Sequence, residues 1–139
     1  MVERSKRPQA GVTRDAQFFW DGVREGQLLI QRCSDCQVLR HPPGPMCSQC
    51  GSLEWDTVEA SGRGVVYSFV ITHHPPIPPF EYPHPIALVE LEEGTRFVAD
   101  LVGIAPEAVT IGMPVQVEFH EPDGETRLPC FRPTTGSKD

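Results

Sequence analysis

Four cysteines carry the clearest chemistry in this chain. Cys33, Cys36, Cys47 and Cys50 form two Cys-x-x-Cys pairs with ten residues between them, in the stretch CSDCQVLRHPPGPMCSQCG. A Cys-x-x-Cys turn brings two sulfurs close enough to share one ion, and a second turn on a facing hairpin completes a tetrahedron. Four thiolates so arranged suit Zn²⁺, with Zn–S distances of about 2.3 Å. The spacing therefore predicts a structural zinc held by Cys33, Cys36, Cys47 and Cys50. Between the pairs, Pro42-Pro43-Gly44-Pro45 predicts a tight reversal that returns Cys47 and Cys50 to face the first pair. Gly51 gives the backbone freedom just after the second pair. His41, inside the loop, is a competent ligand, but four thiols leave it no vacancy.

Other uses of the four thiols fit less well. Tetrathiolate sites also accept iron, yet nothing in the sequence resembles a flavin or second cluster with which to exchange electrons. A dithiol redox centre needs one reactive pair, not two pairs arranged for mutual coordination. Catalytic zinc keeps a position open for water and usually draws on His or carboxylate, whereas four cysteines close the shell. The expected role is folding: zinc binding worth about 10–16 kcal/mol stands in for a core too small to support the segment alone.

The remaining candidates for chemistry are weaker. Cys130, in RLPCFRP, has Arg127 and Arg132 close in sequence but no assignable base, and buried free cysteines are common. His73, His74, His84 and His120 form no recognisable pair with a carboxylate at fixed spacing. There is no phosphate-cradling glycine loop, no GxSxG and no HExxH. Catalytic residues are accordingly not assigned.

The elements that must position the cysteines follow from pattern. In TRDAQFFWDGVREGQLLIQRC, Thr13 or Asp15 can cap a short amphipathic helix, Phe19 and Val23 lie one turn apart, and Gly26 is a terminator. Phe18, Phe19 and Trp20 are consecutive, so one stripe cannot hide all three. Packing against the protein's own ribbon or barrel is preferred over docking onto a partner. After the cysteines, GRGVVYSFVIT predicts a strand, IALVELEEGTRFVADLVG two strands around Glu92–Thr95, and VQVEFHEPDGETRLPCF two more around Pro-Asp-Gly. A helical turn fits near Pro106. His73–Pro85 contains six prolines and reads as a loop or polyproline-like segment, either a stiff connector or a rigid contact surface presenting Ile77, Phe80 and Tyr82. Five or so short strands without long helices predict a mainly β protein: a helical lead-in, a zinc ribbon and a five-stranded OB-fold barrel. The segments are residues 1–30 for tail and helix, 31–57 for the ribbon, 58–134 for the barrel and 135–139 for a C-terminal tail.

Composition limits the partners. The 139 residues suit one domain plus a small stapled module, with 15 prolines and 12 glycines pointing to many turns. The net charge of −7 is concentrated late, residues 61–139 holding five basic and eleven acidic side chains. Phosphate backbones are bound through Lys and Arg, so this balance disfavours a nucleic-acid module, the competing use of ribbons and OB-folds. The N-terminus lacks an apolar targeting segment, and no apolar stretch approaches the roughly 20 residues of a membrane span. The expectation is a cytoplasmic protein with no membrane partner.

Taken together, FFWDGVREGQLLIQRC, CSDC and CSQCG, GRGVVYSFVITHHPP, PIALVELEEGTRFVADLVG, IGMPVQVEF and the closing FRP resemble the domain-of-unknown-function-thirty-five family over about residues 14–133. The resemblance implies a rubredoxin-like zinc ribbon joined to an OB-fold, in an accessory subunit of acyl-CoA metabolism. Its partner would be a thiolase-like enzyme, including lipid-transfer-protein-type aldolases of steroid side-chain breakdown, or a MaoC-type enoyl-CoA hydratase. The partner would supply the catalytic residues, while this chain binds it and helps enclose acyl-CoA. Cys33, Cys36, Cys47 and Cys50 match the family's metal positions. Contacts to the partner or to acyl-CoA are expected from Phe18, Trp20, Arg40, Arg63, Ile77, Phe80 and Tyr82, with Arg32 a further candidate for CoA phosphates.

Overall fold

The computed structural model describes residues 13–74, 83–121 and 127–134. Helix α1 (Gln17–Arg24) leads into a three-stranded antiparallel sheet of β1 (Leu29–Cys33), β2 (Leu39–Arg40) and β3 (Trp55–Glu59), ordered β2-β1-β3. Five further strands close a barrel: β4 (Arg63–Thr72), β5 (His84–Leu91), β6 (Arg96–Leu101), β7 (Pro114–His120) and β8 (Leu128–Pro133), in the order β4-β5-β6-β8-β7. Neighbours are antiparallel except β6 and β8, which run parallel. This is a mainly β molecule with the strand order of an OB-fold, as the strand count predicts. A 3₁₀ turn at Pro106–Ala108 occupies the expected helical position, Pro serving at its start.

Period-two patterning builds the barrel. Along β5, Ala87, Val89 and Leu91 are buried while Ile86, Leu88 and Glu90 between them are partly exposed. Along β6, Phe97, Ala99 and Leu101 are buried likewise, and Val66, Val115 and Phe131 complete the interior. Ten-residue β4 closes the cylinder: its first three residues pair with β7, Gly64 through Thr72 run along β5, and a register shift between Val66 and Ser68 lets it bend between the two. Gly64 stands at this corner, where a β-carbon would lie 2.5 Å from the carbonyl oxygen of Glu90. Pro85, placed by sequence in the preceding loop, instead belongs to β5. It pairs with Ile71 of β4 before the β6 ladder begins at Ile86, so its missing amide is not needed on that side. Residues 75–82 of the Pro-rich stretch, with Ile77, Phe80 and Tyr82, lie outside the described residues, as do the Pro-Asp-Gly turn and both tails.

Helix α1 has no side-chain cap. Ala16 occupies the N-cap position, and Thr13 and Asp15 sit in a preceding turn closed by the Ala16 amide donating to the Thr13 carbonyl (3.1 Å), which corrects the predicted cap. Its end is as predicted. Gly26 (φ 78°) donates to Val23 (3.0 Å) and Gln27 donates to Gly22 (2.8 Å), the paired bonds of a Schellman stop. Eight residues make a marginal helix in isolation, so packing must hold it. Phe19 and Val23 provide that packing, joining Leu28 and Ile30 of the ribbon side and Val89, Phe97 and Phe131 of the barrel in one continuous core. Phe18 and Trp20 remain partly exposed at its edge, as the three-aromatic pattern requires.

Candidate metal centre

The two cysteine pairs fold as the same turn used twice, fourteen residues apart. The amides of Cys33 and Cys47 each donate to a carbonyl five residues on, Val38 and Ser52 (2.9 Å each). The residue after each second cysteine, Gln37 or Gly51, takes a positive φ (69° and 78°) and donates back to Cys33 or Cys47 (2.9 Å each). Glycine occupies this left-handed position in the second turn; in the first, Gln37 holds it with its side chain donating to the Ser34 carbonyl (3.0 Å). Each turn also aims an amide at its first sulfur: Cys36 at Cys33 Sγ (3.5 Å) and Gln49 at Cys47 Sγ (3.4 Å).

The four Sγ atoms all lie within 4.8 Å of one another, with Cys33–Cys50 and Cys36–Cys47 at 3.5 Å. Sulfurs around one ion at about 2.3 Å are separated by about 3.8 Å, so this donor set fits a metal without rearrangement. Cys33 and Cys47 are buried, Cys36 and Cys50 at the surface. Hydrogen bonding divides them further. The amides of Cys50 and Gln49 bring Cys47 down to about 6, and the Cys36 amide lowers Cys33. Cys50 is pushed up to about 12: the Ser52 amide pulls it down, but hydrogen bonding with Cys33 and burial outweigh this. Cys36 is raised too, the pull of the Val38 amide being overcome by burial and by Cys47. Amide hydrogen bonding thus favours the anionic form at Cys47 and Cys33, whereas the neighbouring sulfurs disfavour it at Cys50 and Cys36.

Two side chains fasten the loop between the pairs: Gln31, which the sequence reading passed over, and Arg40, which it named for a partner or acyl-CoA contact. Gln31, buried on β1, accepts the Gly44 amide on Oε1 (2.9 Å), and the Arg40 guanidinium donates twice to the Gly44 carbonyl (2.9 and 3.2 Å). The reversal predicted from the prolines is therefore pinned from both sides. His41 has a packing role: its ring stacks on Phe97 at 4.8 Å and meets Phe19 at 5.6 Å, joining loop, helix and barrel. Burial lowers its pKa. Because the unfolded chain then binds the proton more tightly, this contribution to stability is present above about pH 6.5 and is lost as pH falls. Denaturant titrations of wild type and His41→Phe across pH 5–8 should show a steeper acid loss in the wild type.

The other expected contacts are scattered. Phe18 packs on Trp55 of β3 (5.0 Å) and Trp20 sits edge-on to Phe19 (5.1 Å). Arg63 makes a two-pronged ion pair with Glu92 (2.8 and 3.0 Å), as Arg32 does with Asp56 (2.9 and 2.7 Å), so both guanidiniums are engaged within the chain. Two histidines do pair with carboxylates, contrary to the sequence reading: His84 with Asp100 (2.9 Å) and His120 with Glu118 (2.8 Å). Glu-x-His on a strand places both side chains on one face, a signal that scanning for helical or loop motifs passes over. A cavity of about 630 Å³ opens between α1, the ribbon loop and the barrel, bounded by Trp20, His41 and Phe97 on one side and Asp100, His120 and Cys130 on the other.

Comparison with known proteins agrees with this architecture. Residues 20–56 match the family described as "ChsH2, rubredoxin-like zinc ribbon domain", and residues 57–120 that described as "ChsH2, C-terminal OB-fold domain". The chain is 52% identical over 136 residues to a probable enoyl-CoA hydratase alpha subunit of Thermomonospora curvata, covering 98% of this chain and 43% of that one. It is 50% identical over 107 residues to the 3-oxo-4,17-pregnadiene-20-carboxyl-CoA hydratase alpha subunit of Mycobacterium tuberculosis, covering 77% and 34% respectively. The chain thus spans less than half the length of these two relatives. Among solved structures, a chain of an Ltp2-ChsH2(DUF35) aldolase superposes with a TM-score of 0.87 at 54% identity, covering 90% of this chain and 98% of that one.

Proposed function

This chain belongs to the DUF35 family of ChsH2-type proteins, a rubredoxin-like zinc ribbon joined to an OB-fold, and we propose that it serves as the non-catalytic subunit of a thiolase-like, acyl-CoA-processing aldolase. The observation that carries this reading is the near-complete superposition, at 54% identity, on a chain of an Ltp2-ChsH2(DUF35) aldolase. The hydratase alpha subunits favour a second reading, attachment to a MaoC-type enoyl-CoA hydratase, and the name of the Mycobacterium tuberculosis subunit points to steroid acyl-CoA chemistry.

The molecule has the surface such a role needs. Val70 and Val98 are more than half exposed on the outer face of β4 and β6, with Tyr67 nearby under the Arg96 guanidinium (3.7 Å). Met46 and Leu53 are equally bare on the ribbon. Exposed apolar groups of this size are what a partner covers. The cavity beside Trp20 offers an acyl group room in this reading. In the same reading Cys33, Cys36, Cys47 and Cys50 hold a structural Zn²⁺, which fixes the two turns and reacts with nothing.

Co-expression with a thiolase-like aldolase and, separately, with a MaoC-type hydratase tests the assignment. The matching large subunit is expected to co-purify and to gain turnover and thermal stability. Val98→Glu, which leaves the interior untouched, should weaken the pair at least ten-fold. A pair no more active or stable than the large subunit alone overturns the proposal.

A further inference from the structure

We propose a second metal site on the barrel wall, formed by Glu118, His120 and Cys130 and suited to a borderline divalent cation such as Zn²⁺ or Co²⁺. One donor atom from each of the three lies within 4.8 Å of the other two. Strand geometry produces the grouping. Glu118 and His120 are two apart on β7 and share its outward face, and Cys130 of β8 stands directly opposite Glu118 in the antiparallel ladder. The backbone positions are thus fixed by the rigid barrel, not by a loop.

The donor set is chemically selective. Sulfur, imidazole nitrogen and carboxylate oxygen together suit zinc or cobalt, whereas Mg²⁺ and Ca²⁺ prefer oxygen alone. Donors around such an ion lie about 3.3–3.8 Å apart, so side-chain rotation of about 1 Å closes the set. Glu118 is already oriented: Arg132 Nε donates to Oε2 (2.6 Å), leaving Oε1 against His120 Nε2 (2.8 Å), where a cation would take the place of the shared proton. His120 and Cys130 also line the 630 Å³ cavity, which gives an ion a way in and leaves a coordination position facing the pocket. Cys130 is 4% exposed, so the cavity is its route to solvent. The ribbon closes its shell with four sulfurs; this site uses three side chains and stays open on one side.

The test is zinc titration of the full chain with the ribbon metal in place, against a chromogenic chelator of micromolar affinity. Wild type is expected to bind one further equivalent. His120→Ala and Glu118→Gln should each weaken that equivalent at least ten-fold while ribbon metal and circular dichroism stay unchanged. With Co²⁺ at the second site, sulfur-to-cobalt charge-transfer absorption should appear, and it should vanish in Cys130→Ala. Failure of wild type to take up a further equivalent, or uptake insensitive to His120→Ala and Glu118→Gln, overturns the proposal.

Discussion

Cys47→Ser is expected to strip metal from the ribbon and lower the melting temperature by more than about 10 °C. Cys47 is buried, carries an amide hydrogen bond on its sulfur, and is the thiol already drawn down to about 6. Serine keeps the volume but offers a hydroxyl with little affinity for a soft-leaning ion. The effect is large because the ribbon has little else: β2 is two residues long, and β3 exposes Trp55, Asp56 and Glu59. Elemental analysis together with a thermal melt checks it, and a chelator added to wild type should reproduce the same melt. Metal content equal to wild type in the Cys47→Ser protein would show that the four sulfurs are not a centre.

Phe19→Ala is expected to cost about 3–5 kcal/mol, the range for deleting a buried phenyl group. The ring is 5% exposed and stands between Phe97 of the barrel (5.7 Å) and His41 of the ribbon loop (5.6 Å). The void would open where helix, ribbon and barrel meet, with no single element able to collapse into it. Phe18→Ala, which strips a partly buried ring from Trp55 at the edge of the core, should cost markedly less. Urea midpoints of the two variants compare them directly. Equal losses would mean that the junction is not where the three parts are joined.

Much of this was legible in the chain. Cysteine spacing brought the four sulfurs together because each Cys-x-x-Cys folds as the same short turn. Period-two alternation in IALVEL and RFVADL gave the barrel strands because one face is dry and the other wet. What stayed hidden depends on partners distant in sequence. Nothing local marks Gln31 as the residue that holds Gly44, since an isolated glutamine on a strand normally points to water. The packing of His41 on Phe97 spans 56 positions and has no periodic trace. The helix cap failed because a turn beginning at Thr13 displaced the start of α1 beyond both capping candidates.

Among the described residues, α1, the ribbon and the barrel share one continuous interior, which ties the front of the molecule to the back. A partner that grips both ends meets a prearranged bracket and loses no orientational freedom in aligning them. The converse also holds: loosening at the metal end would be felt as misalignment at the far rim of the barrel, so faults at either extremity should impair attachment as a whole.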